Sequence, residues 1–161
     1  MLVVADSSPL VVLSVIEQID ILPRLFGEVI IPPEVSAELQ QSDRPQAVHD
    51  LLRTHPTWLH VRVPTSIEPI PSLHPGELAA IALAQELKAD LLLVDELRAH
   101  RAAADRHLAF TGTIGVLELA ADRGLLDLQD AFARVKKTDF WISPDLLDER
   151  LKLYRAGTRR R

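Results

Sequence analysis

The chain has 161 residues, 47% of them hydrophobic and only 4% aromatic, which is enough for one domain with an aliphatic core and short for two. With 23 acidic against 18 basic residues, the net charge of −5 removes any global electrostatic argument for binding nucleic acid, so such binding needs local cationic patches or metal ions. The absence of cysteine excludes disulfides, thiolate zinc sites and cysteine nucleophiles, and with no apolar run near the roughly 20 residues that cross a bilayer, a soluble cytoplasmic protein with no membrane partner is expected.

Leu2 to Ala5 is continuously apolar, which predicts a strand buried on both faces, and Asp6 closes it. Ser8-Pro9 reads as an N-cap with proline at the first helical position, opening an apolar helix through Glu17. Gly27 precedes a second strand, Glu28 to Ile31, and Pro32-Pro33 ends it and starts a helix carrying Glu34, Val35, Glu38 and Leu39. The opening is therefore β-α-β-α. Prolines at 45, 56, 64, 69 and 71 divide the weaker stretch from Ser42 to Ser72 into a short helix, Gln46 to Arg53, and a strand, Trp58 to Val63. His74-Pro75-Gly76-Glu77 leads into a helix ending at Leu87, whose Ala80, Leu83, Ala84 and Leu87 form one apolar stripe with Glu77 in line.

Leu91 to Val94 is a further apolar strand, closed by Asp95, and a basic, alanine-rich helix follows from Glu96 to Asp105. Ala109 to Thr111 reads as a short strand, Thr113 to Asp122 as a helix with Gly124 beyond its end, and Leu126 to Lys136 as the next segment. A helix capped by Ser143-Pro144 runs to Tyr154. The expected organisation is a single domain over residues 1–155 and a flexible basic tail over 156–161.

Acids recur where chemistry gathers. In an open α/β domain the carboxyl ends of parallel strands share one edge, where ligands bind, so acids far apart in sequence can meet there. Clustered carboxylates repel unless a proton or a divalent cation intervenes, and oxygen-rich clusters suit magnesium or manganese. Asp6 and Asp95 each end an apolar strand, and Glu96 offers a second carboxylate beside Asp95. Glu77 reads equally as a ligand or as an acid stabilising the first turn of its helix. Glu38, taken alone, reads as a solvated helix glutamate, and Glu34 as serving the helix dipole. Thr111-Gly112-Thr113 can bind a phosphate or position water, or be a plain turn with Thr113 as N-cap. Arg98, His100, Arg101 and Arg106, with Lys136-Lys137 and Arg159 to Arg161, are either cationic patches or solvated faces. The six histidines show no paired metal-ligand spacing.

Asp6-Ser7-Ser8-Pro9-Leu10, the segment from Ile31-Pro32-Pro33-Glu34-Val35 to Glu38-Leu39, Gly76-Glu77-Leu78-Ala79-Ala80-Ile81-Ala82-Leu83-Ala84 and Leu92-Leu93-Val94-Asp95-Glu96 occur in the order seen in PIN-domain proteins. From residue 2 to about 153 the chain resembles the PIN-like branch that includes VapC-type toxins, and Phe110 to Leu117 looks like a signature of one subgroup. The resemblance implies an α/β fold, a three-layer α/β/α PIN-like domain with a central parallel sheet. It also implies an acidic pocket holding Mg2+ or Mn2+ for cleavage of single-stranded RNA. Asp6 matches the first-strand acid, Glu38 the glutamate of the following helical region and Asp95 the later strand-end acid. Glu77 is a departure, one methylene longer than the aspartate that toxin-type members more often carry. The expected catalytic set is Asp6, Glu38, Glu77 and Asp95, with Asp6, Glu77 and Asp95 on the metal and Arg98, Arg101, Thr111 and Thr113 on the RNA. Toxin-type relatives further imply a homodimer and an antitoxin protein as partner. The alternative is a catalytically weak or inactive PIN-like module acting through protein or RNA binding. A receiver-type phosphoacceptor needs an adjacent acidic pair on the first strand and a lysine ending the last; a haloacid-dehalogenase phosphatase needs aspartate where this chain has Ser8.

Overall fold

The computed structural model describes residues 1–140 and 142–160, the side chains of 158–160 excepted. Contacts divide the chain into two compact units, Met1–Thr113 and Ile114–Arg161. The first unit contains the whole sheet. Its elements run β1 (Val3–Ala5), α1 (Ser7–Val15), α2 (Ile21–Phe26), β2 (Val29–Ile31), α3 (Pro33–Leu39), α4 (Gln46–Arg53), β3 (Leu59–Val61), α5 (Pro75–Leu87), β4 (Leu91–Leu93), α6 (Leu97–Asp105) and β5 (Phe110–Thr111). The second unit consists of α7 (Thr113–Asp122), which begins at the boundary, α8 (Leu128–Lys136) and α9 (Pro144–Arg160).

All pairings are parallel, in the order β3-β2-β1-β4-β5. β1 lies at the centre, with Val3 opposite Val29 on one side and Leu91 on the other. Its residues Val3, Val4 and Ala5 are all fully buried, as the unbroken apolar run requires of a strand covered on both faces. On one face Val4, Leu92 and Val94 pack with Ala80, Leu83 and Ala84 of α5 and Ala99, Ala102 and Ala103 of α6. Alanines on these helices let them approach the sheet closely. Val3, Ala5 and Leu93 on the opposite face are equally buried. The result is a central parallel sheet flanked by helices, a three-layer α/β/α arrangement.

Leu10, Leu13, Leu22, Ile31, Leu39 and Leu83 are among the largest side chains removed wholly from solvent, each contributing about 1.5–3 kcal/mol of transfer free energy. α1 is apolar on nearly every side, the composition of a helix enclosed by protein.

Three details differ from the sequence reading. α1 begins at Ser7 with Asp6 at the N-cap position, so Ser8 is helical and does not cap. α2 is an additional helix: Ile21, Leu22, Leu25 and Phe26 are buried, Pro23 is tolerated in a first turn, and Gly27 ends it at φ 79°. Six residues are too few for a helical period to stand out. α9 continues to Arg160, past the expected end at Tyr154, so the backbone of residues 156–160 of the expected tail is helical; the side chains of residues 158–160, with residue 161, lie outside the described residues. No helix among the described residues is long and apolar enough to cross a membrane.

Candidate active site

The strand order reverses at β1, where the chain first moves outward through β2 and β3 and later returns to place β4 on the other side. Crevices at such switch points lie outside the carboxyl ends of the strands. Asp6 leaves β1 at this point and Asp95 leaves the β4 segment beside it, the Asp6 amide donating to the Leu93 carbonyl at 2.9 Å.

Asp6 is 6% exposed and makes no side-chain capping bond to α1. Its Oδ1 is buried without a hydrogen-bond partner. Burial pushes its carboxyl from 3.8 up to about 7; the Ser7 amide opposes this, while the negative charges of Glu38, Glu77 and Asp95 add to it. These acids, remote in sequence, therefore act on one carboxyl in the fold. A group titrating near neutrality at an unpartnered, crowded position has two ways to relieve its charge: hold a proton or take a cation.

The other acids are held by neighbours. Ser7 donates its hydroxyl to Glu38 Oε2 at 2.5 Å, so Glu38 is anchored and half-buried rather than the solvated glutamate its helix position suggests. Ser8 donates to Asp95 Oδ2 at 2.8 Å. Thr113 donates its amide to Asp95 Oδ1 at 2.6 Å and its hydroxyl to Oδ2 at 2.8 Å. Thr113 is fully buried, which corrects the expectation that it contacts RNA: it fixes Asp95. Glu77, 5% exposed, accepts the His74 amide on Oε1 at 2.8 Å at the start of α5. That is one half of a capping box, so the helix-stabilising reading of Glu77 holds, and its position near Asp6 is additional.

Arg98 and Arg101 are exposed on α6, which starts two residues after Asp95, and Thr111 is half-buried at the end of β5. Arg106 is instead tied to Glu68 by two hydrogen bonds of 3.0 Å, and Lys136 to Asp148 at 2.6 Å. Two features escaped the sequence. The His100 ring bonds the Val94 carbonyl and packs on Phe110 with centroids 4.7 Å apart, bracing the residue before Asp95. Glu34, one turn before Glu38, has a buried Oε2 without a partner. The pair Ser7-Ser8 after a strand-end acid was the available signal for the hydroxyl contacts.

Among the described residues no three Asp, Glu or His side chains stand close enough together to form a ready metal cage. The fit to a divalent ion rests on the orphaned Asp6 oxygen, the three further carboxylates acting on it, and their hard oxygen chemistry.

A family model described as a PIN domain matches residues 2–156. The chain belongs to the PIN-domain family. PIN domains are typically nucleases and generally use divalent metal ions. A PilT N-terminus domain protein from the hyperthermophilic archaeon Sulfolobus solfataricus P2 is similar in structure, with a TM-score of 0.51 at 17% identity over 72% of this chain and 90% of that one. At this identity the likeness bears on the fold alone. No curated protein matches the sequence. In this PIN domain, Glu38, Glu77 and Asp95 each act on the carboxyl of Asp6 at the switch point.

Proposed function

We propose that the protein is a metal-dependent endoribonuclease that cleaves phosphodiester bonds in single-stranded RNA. The observation that carries this reading is Asp6, a buried carboxyl with an unpartnered oxygen, titrating near 7 among three other acids. Asp6, Glu77 and Asp95 would hold Mg2+ or Mn2+, which when bound neutralises the phosphate and lowers the pKa of a coordinated water. Glu38, held by Ser7, would complete the cage or orient the attacking water. Ser8 and Thr113 keep the Asp95 carboxylate in place. Arg98, Arg101 and Thr111 grip flanking phosphates, which an acidic pocket otherwise repels.

The same reading gives the chain the toxin's part in a toxin-antitoxin pair, working in the cytoplasm as a homodimer with an antitoxin protein as partner. A second reading, a catalytically weak module that binds protein or RNA, is favoured by one observation: Glu77 is already engaged in capping α5. Incubating labelled single-stranded RNA with the protein and Mn2+, beside an Asp6→Ala variant and an EDTA control, separates the two. Cleavage by the unaltered protein with Mn2+ alone supports the nuclease; equal cleavage in all three removes it, and no cleavage under any condition favours the binding module.

A further inference from the structure

Two glycines touch the carboxylates of this site. A Cβ built on Gly76 would lie 2.4 Å from Glu38 Oε1 and 2.9 Å from its Cδ and Oε2, and one on Gly112 would lie 2.7 Å from Asp95 Oδ1. Neither glycine has the positive φ that would explain it by conformation, in contrast to Gly27 and Gly124, around which a Cβ meets nothing within 4 Å. Gly76 is the second residue of α5, in its first turn, where glycine offers the helix nothing that alanine would not. Turn geometry and helix propensity therefore both fail to account for it, and the close approach of Glu38 remains.

We propose that Gly76 and Gly112 are positioning residues, whose missing side chains leave the space occupied by the carboxylates of Glu38 and Asp95. The inference rests on the metal-dependent reading above for its consequence, and on contact geometry for its cause. Glu38 is pinned between Ser7, which donates to Oε2 at 2.5 Å, and the bare backbone of Gly76. A methyl group at 76 forces the carboxylate off Ser7. Because the atoms that must move are the far end of a flexible, half-buried side chain, the fold survives the change while the carboxylate is misplaced. Asp95 is shorter and held at three points by Ser8 and Thr113, so a methyl at 112 has to break those bonds.

The test is a cycle of four proteins: the unaltered chain, Gly76→Ala, Glu38→Asp and the double variant, each characterised by melting temperature, Mn2+ calorimetry and a crystal structure. Gly76→Ala is expected to melt within a few degrees of the unaltered chain, yet to bind Mn2+ about tenfold more weakly or worse. With aspartate at 38, whose carboxylate is retracted by one methylene, adding the alanine changes Mn2+ affinity by less than about twofold, the non-additivity expected of touching groups. A Gly76→Ala crystal structure with Glu38 still bonded to Ser7 overturns the proposal; a displaced carboxylate supports it. Should the unaltered chain bind no Mn2+, the metal reading falls, while the crystal structures still decide the role of Gly76.

Discussion

Replacing Asp6 by asparagine keeps the size of the side chain and removes its ability to carry charge. Burial, joined by Glu38, Glu77 and Asp95 and opposed by the Ser7 amide, lifts this carboxyl from 3.8 to about 7. The folded chain therefore keeps a proton that the unfolded chain releases from about pH 4 upward. Over that interval the unfolded state binds fewer protons, so stability declines as pH rises, and the decline is complete above the folded value. A displacement of about three pH units corresponds to about 4 kcal/mol of lost stability at pH 8. Asp6→Asn escapes this loss. The variant is expected to lie within about 1 kcal/mol of the unaltered chain at pH 4 and to be more stable by about 2–4 kcal/mol at pH 8, a rise of about 5–15 °C in melting temperature. Circular dichroism melts in EDTA at the two pH values measure it. Millimolar Mn2+ should then raise the melting temperature of the unaltered chain at pH 8, because a ligand of the folded state stabilises it by mass action, and leave Asp6→Asn unmoved. A difference between the two proteins that is the same at pH 4 and pH 8 refutes the argument that Asp6 is a buried, crowded acid.

Glu77→Gln keeps an oxygen for the His74 amide and loses the charge, so its melting temperature should match that of the unaltered chain while Mn2+ affinity, read by calorimetry, drops; unchanged affinity would assign Glu77 to capping alone. Thr113→Val removes a buried hydroxyl from Asp95 and is expected to cost about 1–3 kcal/mol in urea unfolding. The Arg98→Ala/Arg101→Ala variant alters two exposed side chains and should leave the melting temperature in place. If both arginines contact phosphates, it flattens the salt dependence of binding to single-stranded RNA by about 1.4 in log-log slope; an unaltered slope takes them out of the interface.

Strands β1, β2 and β4 were legible because they lie in unbroken apolar runs, as strands covered on both faces do, each run closed by an acid or a proline. Asp6 and Asp95 stood out for that reason: each is the first charge after such a run. The order of the strands was not legible, since Leu2 to Ala5 carries no mark of being central rather than peripheral. Nor were the hydrogen bonds that hold the acids. Ser8 satisfied the local pattern of an N-cap, yet its hydroxyl is taken by Asp95, 87 positions away, and Thr113 matched a cap or a phosphate contact while being fully buried against the same carboxylate. Local chemistry offered each hydroxyl a nearby use, and the tertiary fold supplied a stronger one. Glu38 shows the converse, an ordinary helix glutamate until Ser7 and Gly76 close around it.

The contacts of Asp95 with Ser8 and Thr113 span almost the whole first unit. A growing polypeptide therefore carries Asp6 from its earliest moments but cannot assemble the complete pocket until Thr113 has been synthesised and folded back. A truncated product stopping short of that threonine would lack the two bonds it gives Asp95, leaving Ser8 alone to hold that carboxylate.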